Sequence, residues 1–177
     1  MKAFFVLLLL VPSQSFSQPA PFSCADTVRR YLGSYVGTWE VRSVFRSGPE
    51  AWDSTRGTVV IAPELDGCLL REEYVGRRYG KPYHYIALWG ANGFNSRIQR
   101  VFAHSQHGYL GIRSGDFVAD TLVLQGSTMV RGTEIIEQDR ITRPVDECFE
   151  RLTRRSSDGG ETWRVTSIVR FRLTEGW

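Results

Sequence analysis

The stretch Gly37-Thr38-Trp39-Glu40-Val41 decides the fold that this sequence predicts. It opens the first of about ten short segments in which apolar and polar residues alternate, a period typical of strands with one buried face. Gly37 allows the chain to turn tightly into the strand, and Trp39 is large enough to plug one end of a barrel. We therefore predict that a barrel begins here and that Trp39 fills its closed end.

Downstream, the alternation recurs with turn residues about every ten positions, and no long helical segment interrupts it. This spacing favours an all-β, antiparallel, up-and-down barrel of about ten strands over a sheet with helical crossovers. The last segment is expected to bury Trp163, Val165, Val169 and Phe171. The predicted segments are 39–45, 59–61, 70–74, 83–89, 98–102, 109–113, 117–124, 133–142, 148–155 and 163–173.

Upstream of the first strand, a short amphipathic segment predicts a helix. Asp26 is expected to cap it, because an aspartate side chain can accept from the first free amides of a helix. Apolar residues recur at intervals of three and four, so one helical face should be buried. That face carries Val28, Tyr31, Leu32 and Tyr35.

The N-terminus has the pattern of an export signal. Residues 1–17 combine a basic start, an apolar centre and the small residues Ser15 and Ser17 before a cut ahead of Gln18. The apolar run is too short to span a bilayer, so no stable membrane insertion is predicted. We predict a signal peptide over 1–17, a single domain over 18–177, and a periplasmic or extracellular location.

The charge of the chain indicates no polyanionic partner. The formal net charge is +3, without a dense basic block, which gives no indication of nucleic acid or an anionic membrane surface. No protein partner is indicated either.

Three cysteines remain after the predicted cleavage, which allows one disulfide and leaves one thiol. Cys24 with Cys68 is the preferred pair, because it would join the N-terminal segment to the start of a strand. Cys68 with Cys148 is the alternative, since both lie near strand starts. Such a bridge typically contributes about 2–4 kcal/mol. The remaining thiol is interpreted as buried and inert.

A hairpin motif lies near the C-terminus. Ser156, Asp158, Gly160 and Trp163 fit the Ser-x-Asp-x-Gly-x-x-Trp pattern of the Asp-box. The serine and aspartate can bond the backbone of the turn, and glycine can adopt a positive φ. One copy in a short chain predicts a structural turn and gives no indication of glycosidase activity.

Charged residues predicted to face inward give the strongest functional indication, because a charge inside a barrel must be paired or hydrated. Glu72 shares its face with Leu70 and Tyr74, and Arg100 shares its face with Phe102. Arg113, Glu137 and Asp139 are also expected inside. The candidate ligand-binding residues are Glu72, Tyr74, Tyr85, Trp89, Arg100, Phe102 and Glu137.

These inward charges allow two interpretations. They can line a cavity that binds a small, partly hydrophobic molecule with a polar head, which is our leading hypothesis. They can instead form internal salt bridges that fill a barrel too narrow for a ligand. Two further functions stay open: an isomerase or hydrolase with Glu72 or Asp139 as base, and a non-catalytic interaction module.

Four stretches together resemble an uncharacterised family of exported bacterial proteins. They are 37–41, 67–74, 88–89 and 156–163, and the resemblance extends from about Cys24 to Phe171. It implies a lipocalin-like calycin barrel, a domain of unknown function with no agreed activity and no catalytic residue to carry over. In many members a cysteine before the first strand accompanies the Gly-Cys pair, which agrees with the Cys24 to Cys68 pairing.

The three histidines give little indication of a metal or cofactor site. Alternation places His84 on the solvent face if Tyr83 and Tyr85 face inward. His104 and His107 flank a predicted turn and are interpreted as surface residues. Some calycin barrels bind haem, and these are the imidazoles available for it, but we predict no metal and no cofactor.

Overall fold

The structure, a computed structural model, describes residues 23–93, 95, 97–106 and 110–176. Ten antiparallel strands form a closed barrel, in which each strand pairs with its neighbours in the chain and the first pairs with the last. This architecture confirms the predicted fold class. The predicted signal peptide lies outside the described residues. The elements are α1 (Cys24–Leu32), a 3-10 turn (Gly33–Tyr35), β1 (Gly37–Arg46), β2 (Trp52–Glu64), β3 (Leu69–Arg78), β4 (Lys81–Ala91), β5 (Ile98–His104), β6 (Gly111–Val118), β7 (Thr121–Val130), β8 (Thr133–Thr142), β9 (Cys148–Ser156) and β10 (Arg164–Glu175).

The two ends of the barrel differ. Because consecutive strands are antiparallel neighbours, the chain runs back and forth between these ends. One end carries α1 and the starts of β1 and β3, and we call it the helix end. At the opposite end, which we call the mouth, β1 finishes at Arg46 and β3 finishes at Arg78.

Helix α1 begins one turn earlier than its expected cap. The hydroxyl of Ser23 accepts from the amide of Asp26 at 3.2 Å, so Ser23 is the N-cap and the prediction for Asp26 was wrong. Asp26 lies in the first turn, where its carboxylate faces the positive end of the helix dipole. The apolar spacing holds, since Val28 and Leu32 are buried against the barrel.

The helix end is packed closed around Trp39, as predicted. The Trp39 side chain is fully buried, and its indole N–H donates to the carbonyl of Tyr35 at 2.9 Å. Its ring meets Phe149 edge to face, with ring centroids 4.7 Å apart. Phe149 in turn stacks on Phe171 at 4.0 Å. Aromatic rings therefore fill this end of the barrel.

Cys24 and Cys68 form the predicted disulfide, which ties the first residue of α1 to the turn before β3. The third cysteine departs from expectation. Cys148 is exposed, so its interpretation as a buried thiol was wrong. The next residue, Phe149, faces the core, and alternation at the start of β9 therefore turns Cys148 outward.

One local prediction about a strand was also wrong. The segment 117–124 is a hairpin, in which Val118 pairs with Thr121 across a two-residue turn. Ala119 has a left-handed φ of 51°, and Ala119-Asp120 lacks the glycine that usually marks such a turn. Because apolar residues lie on both sides of the turn, the sequence pattern of 117–124 resembles that of one continuous strand. Tyr109, expected to begin the preceding strand, lies outside the described residues.

A bulge in β10 overturns the predicted face of Trp163 and Val165. The register with β9 shifts between Val165 and Ser167, so an extra residue is inserted and the alternation inverts. Trp163 therefore packs beneath Arg154, whose guanidinium lies 4.4 Å from the indole centroid. Beyond the bulge, Val169 and Phe171 are buried as expected.

Candidate functional site

The middle of the barrel is crossed by a network of ion pairs, which we call the ion-pair floor; its members are largely buried except for Arg155, whose side chain is 54% exposed. Glu72 lies at its centre and is fully buried. One of its oxygens accepts from the indole of Trp89 at 2.8 Å, from Arg100 at 3.1 Å and from the Tyr85 hydroxyl at 3.2 Å. The other oxygen accepts from Arg151 at 2.8 Å. Glu72 and Arg100, both expected to face inward, therefore meet as an ion pair. The floor comprises Glu72, Arg100, Arg113, Glu137, Asp139, Arg151 and Arg155.

The second half of the floor is built around Asp139. Arg100 reaches one carboxylate oxygen of Asp139 at 3.3 Å, and Arg113 binds the same oxygen. The hydroxyl of Thr153 donates to the other oxygen at 2.7 Å. Arg113 also donates to Glu137 at 2.5 Å. The two halves therefore share Arg100, which joins Glu72 to Asp139.

Strand register explains why these charges meet. Inward positions on adjacent strands lie side by side, and Arg100 of β5 is directly opposite Arg113 of β6. Glu137 of β8 is likewise opposite Arg155 of β9, and the two form an ion pair. Each guanidinium thus lies within reach of carboxylates from other strands, which balances charges that burial would otherwise disfavour.

The floor holds its groups in their charged forms. Burial alone would raise the pKa of Glu72, but Arg151 and Arg100 hold that pKa below its ordinary value. Burial would likewise raise the pKa of Asp139, but Arg113 and Arg100 lower it. Burial lowers the pKa of Arg100 to about 10, which still leaves it protonated at neutral pH.

This arrangement gives little support to catalysis by the interior carboxylates. A general base works best with a pKa near the operating pH and a free lone pair directed at the substrate. Glu72 and Asp139 have lowered pKa values, and every oxygen of both accepts hydrogen bonds from the protein. Their geometry fits a structural floor.

Between the floor and the mouth the barrel is open. A cavity of about 470 Å³ lies above the ion pairs, and a smaller branch of about 130 Å³ extends from it toward β1 and β2. Tyr83, Tyr85 and Arg151 line both spaces. The barrel thus combines the two alternatives that the sequence left open, with salt bridges in the middle and a cavity above them.

The candidate ligand-binding residues divide between these levels. Tyr85, Arg100, Phe102 and Glu137 line the main cavity, and Tyr74 lines the branch. Glu72 and Trp89 lie in and beneath the floor and do not line either space; they act on the cavity through the arginines and the tyrosine that they hold.

Glycines make room for the aromatic rings of the wall. A Cβ at Gly76 would overlap the phenol of Tyr74, and one at Gly57 would lie 2.7 Å from the same ring. A Cβ at Gly111 would overlap the ring of Phe102. The absence of side chains at these positions lets both rings lie close to the neighbouring backbone, which leaves the space above the floor open.

Several cavity residues were missed by the sequence reasoning. Arg78, Tyr83 and Arg46 line the main cavity near the mouth. Alternation from Tyr74 through position 76 does place Arg78 inside, but the predicted segment ended at Tyr74. A period of two was therefore a sufficient signal for Arg78, had the strand been extended to its true end.

One of the two described histidines lies where the sequence predicts, and the other does not. His84 is on the outer surface and lies 2.8 Å from a carboxylate oxygen of Glu73, as its place in the alternation predicted. The prediction for His104 was wrong, because it lines the cavity with its ring centroid 5.5 Å from that of Tyr83. Strand β5 extends through His104, which keeps it on the inward face. His107 lies outside the described residues.

Among residues 23–93, 95, 97–106 and 110–176, no group of three or more His, Cys, Asp or Glu side chains could hold a metal ion. Within the same ranges, no helix combines the length and the apolar character needed to cross a membrane.

The Asp-box hairpin is a structural turn, as predicted. The Ser156 hydroxyl donates to Asp158 at 2.6 Å and accepts from the amide of Gly160 at 2.9 Å. The Asp158 carboxylate accepts from the amide of Thr162 at 3.0 Å, and these hydrogen bonds lower the pKa of Asp158. Gly160 has a φ of 99°, a backbone conformation that glycine adopts without strain. The motif shapes one side of the mouth.

Comparison with known proteins identifies the fold alone. No protein-family model matches the chain, and no curated protein matches it. Rv2717c from M. tuberculosis is similar in structure, with a TM-score of 0.58 and 14% identity over 85% of this chain and 98% of that one. The S-type phycobiliprotein lyase CPES from Guillardia theta has a TM-score of 0.54 and 13% identity over 85% and 94%. Both share the barrel, which is consistent with a lipocalin-like barrel family.

Proposed function

We propose that this protein is an exported barrel that binds a small, partly hydrophobic molecule in the cavity above the ion-pair floor. The observation that carries the proposal is the division of the interior into a closed lower half and an open upper half. A cavity of about 470 Å³ falls within the range usual for small-molecule sites. Its wall mixes aromatic rings with a few fixed polar groups, as such sites typically do.

The floor supports this function by holding the cavity open. Arg100 and Arg151 are anchored from below by Glu72, so they cannot fold upward to fill the space. Arg151 lies over the ring of Tyr85, 5.7 Å from its centroid, and this contact fixes part of the wall. A pre-formed cavity binds more tightly because less ordering is needed on binding. The barrel shared with a protein named as a phycobiliprotein lyase is compatible with this function.

A neutral fluorescent probe tests the proposal. N-phenylnaphthylamine fluoresces when it leaves water, and we expect it to bind wild-type protein with a dissociation constant in the micromolar range. Ser167 lines both the main cavity and its branch, so Ser167→Trp should fill the space and abolish binding. Ser54 is exposed on the outside of β2, which makes Ser54→Trp the matched control.

The proposal requires that Ser167→Trp loses the probe while Ser54→Trp retains it, with both variants melting as folded proteins. Equal binding by the two variants would place the probe outside the cavity and contradict the proposal. No binding by the folded wild-type protein would contradict it as well.

Export is tested separately. We propose cleavage before Gln18, so protein recovered from outside the cytoplasm should begin at Gln18 and lack the preceding residues. Full-length protein retained in the cytoplasm would contradict this part of the proposal. The Cys24 to Cys68 disulfide supports export, because such bonds persist in oxidising compartments.

A further inference from the structure

Arg78 differs from the other arginines inside the barrel. It is the last residue of β3 and lines both the main cavity and its branch. Aromatic rings surround its guanidinium, with the centroid of Phe45 at 4.7 Å, that of Tyr79 at 5.3 Å and that of Tyr83 at 5.4 Å. Its Nε atom is buried and has no hydrogen-bond partner among the described residues. A buried donor without an acceptor is costly, and a ligand oxygen would satisfy it.

The arginines of the floor, in contrast, each pair with a carboxylate. Arg100 and Arg151 pair with Glu72, and Arg113 and Arg155 pair with Glu137. No carboxylate oxygen within the described part of the chain lies within 4.0 Å of a nitrogen of Arg78. Its positive charge therefore has no counter-ion among the described residues of the barrel interior.

The tyrosines near Arg78 do not neutralise it. Burial raises the pKa of Tyr83, and the nearby Arg78 and Arg151 offset this only in part, so the phenol stays protonated at neutral pH. Burial raises the pKa of Tyr74 as well. The Tyr83 hydroxyl is close enough to Arg78 and Arg151 that both lower its pKa. It is thus a neutral donor positioned beside two cations.

The charge balance of the whole space is positive. Among the described residues, the lining and the floor together hold six guanidinium groups and three carboxylates. Arg46 adds to the excess at the mouth, since its side chain donates to the carbonyls of Val165 and Pro49, which carry no charge. Low-dielectric walls concentrate such a field inside a cleft. The arginines are Arg46, Arg78, Arg100, Arg113, Arg151 and Arg155, and the carboxylates are Glu72, Glu137 and Asp139.

Apolar surface continues from Arg78 into the branch. Phe45, Val59 and Val169 line that space together with Tyr74. An anionic group bound at Arg78 would therefore leave the rest of a ligand in contact with aromatic and aliphatic side chains. The surroundings match a molecule with one charged end and an apolar body.

We propose that Arg78 binds the oxyanion of the ligand, so that the barrel is selective for organic anions with an apolar body. This deepens the proposed function and rests on it. A carboxylate, sulfonate or phosphate oxygen accepts from the guanidinium of Arg78, which lines the cavity, and the Tyr83 hydroxyl supplies a neighbouring donor. The apolar body lies against Phe45 and Val169.

A pair of probes that differ by one charge tests this selectivity. Anilinonaphthalene sulfonate is N-phenylnaphthylamine with an added sulfonate, so the two have the same aromatic body. Wild-type protein should bind the anion about tenfold or more tighter than the neutral probe, as expected for a hydrogen bond to a charged group. Arg78→Met should remove most of that difference and leave the affinity for the neutral probe within about twofold.

Two further variants separate recognition from folding. Arg78→Lys retains the positive charge without the fork of donors, so it should recover part of the affinity for the anion. Arg56 is exposed on the outside of β2, and Arg56→Met should bind both probes as the wild type does. Melting curves for every variant establish that folded proteins are compared.

The outcomes are distinct. Equal affinity of the wild type for the two probes, or equal loss of both in Arg78→Met, would overturn the selectivity while leaving the cavity function standing. Failure of the wild type to bind either probe would overturn the cavity function itself.

Discussion

The lower and upper halves of the barrel are built from the same strands but do different things. Below the floor, the ring of Trp39 meets Phe149 edge to face and the ring of Trp89 lies 5.9 Å from that of Tyr35, so aromatic side chains fill the interior. Above it, the inward positions of β9 and β10 carry small side chains, such as Thr153 and Ser167, and arginines held at the wall. The size of the inward side chains, and not the backbone, therefore decides which half is open.

The floor is the boundary between the halves and serves both. It places buried charges where each has partners, which avoids the penalty of isolated ions in a low-dielectric interior. It also prevents the upper arginines from collapsing into the cavity. The packed half, the floor and the Cys24–Cys68 disulfide at the helix end should therefore contribute separately to stability.

Truncation of Trp39, which fills the helix end, should produce the largest loss of stability. Trp39 is 1% exposed, and Trp39→Ala should lower the free energy of unfolding by about 3–5 kcal/mol. Trp52 is 41% exposed at the mouth end of β2, and Trp52→Ala should cost about 1 kcal/mol or less. Urea unfolding measures both. Similar losses for the two variants would mean that the helix end is not the packed half.

A matched pair of glutamates tests the floor. Glu72→Gln removes the carboxylate that pairs with Arg151 and one of the two that pair with Arg100, and it should cost about 3 kcal/mol. Its neighbour Glu73 faces outward and pairs with Arg71 and His84 at the surface. Glu73→Gln should therefore cost less than about 1 kcal/mol in the same unfolding experiment. A floor that tolerates the first change as well as the second is not the boundary described here.

The Cys24–Cys68 disulfide at the helix end should contribute a smaller amount to the free energy of unfolding. Replacing both Cys24 and Cys68 by serine should lower the free energy of unfolding by about 2–4 kcal/mol. Cys148 is exposed and outside the disulfide, so Cys148→Ser should change stability by about 0.5 kcal/mol or less. Thiol counting on the unfolded protein should give one free thiol before reduction. Three free thiols would contradict the presence of the disulfide.

Acid should weaken the floor through its carboxylates. The pKa values of Glu72 and Asp139 lie below 4.5 and 3.8 in the folded protein. The stability that they contribute is therefore present above those pH values and lost as the pH falls toward the folded pKa. Stability measured from pH 7 to pH 3 should be flat at first and then decline below about pH 4.5, less steeply in Glu72→Gln. An unchanged slope in that variant would contradict the ion pairing.

Much of this architecture follows from alternation alone. A period of two placed Glu72 and Arg100 inside, put Trp39 at the closed end and turned His84 outward. The resemblance to a calycin family agreed with the position of the disulfide. These features depend on local pattern, which a single sequence carries in full.

Two of the errors arise where the backbone departs from regular alternation. The bulge in β10 turned Trp163 outward, and the hairpin at Ala119 lacks its usual glycine. The openness of the upper half was left undecided for a different reason. It depends on how Arg100 and Arg151 are held from other strands, a contact at long range that no local pattern encodes.

The most direct test of the central claim is a crystal structure of the protein with anilinonaphthalene sulfonate bound. We predict the aromatic rings in the cavity above the floor and the sulfonate within hydrogen-bond distance of Arg78, with the Glu72 to Arg100 pair intact. A probe bound only on the outer surface, with Arg78 and Arg151 folded into the upper half, would contradict the account.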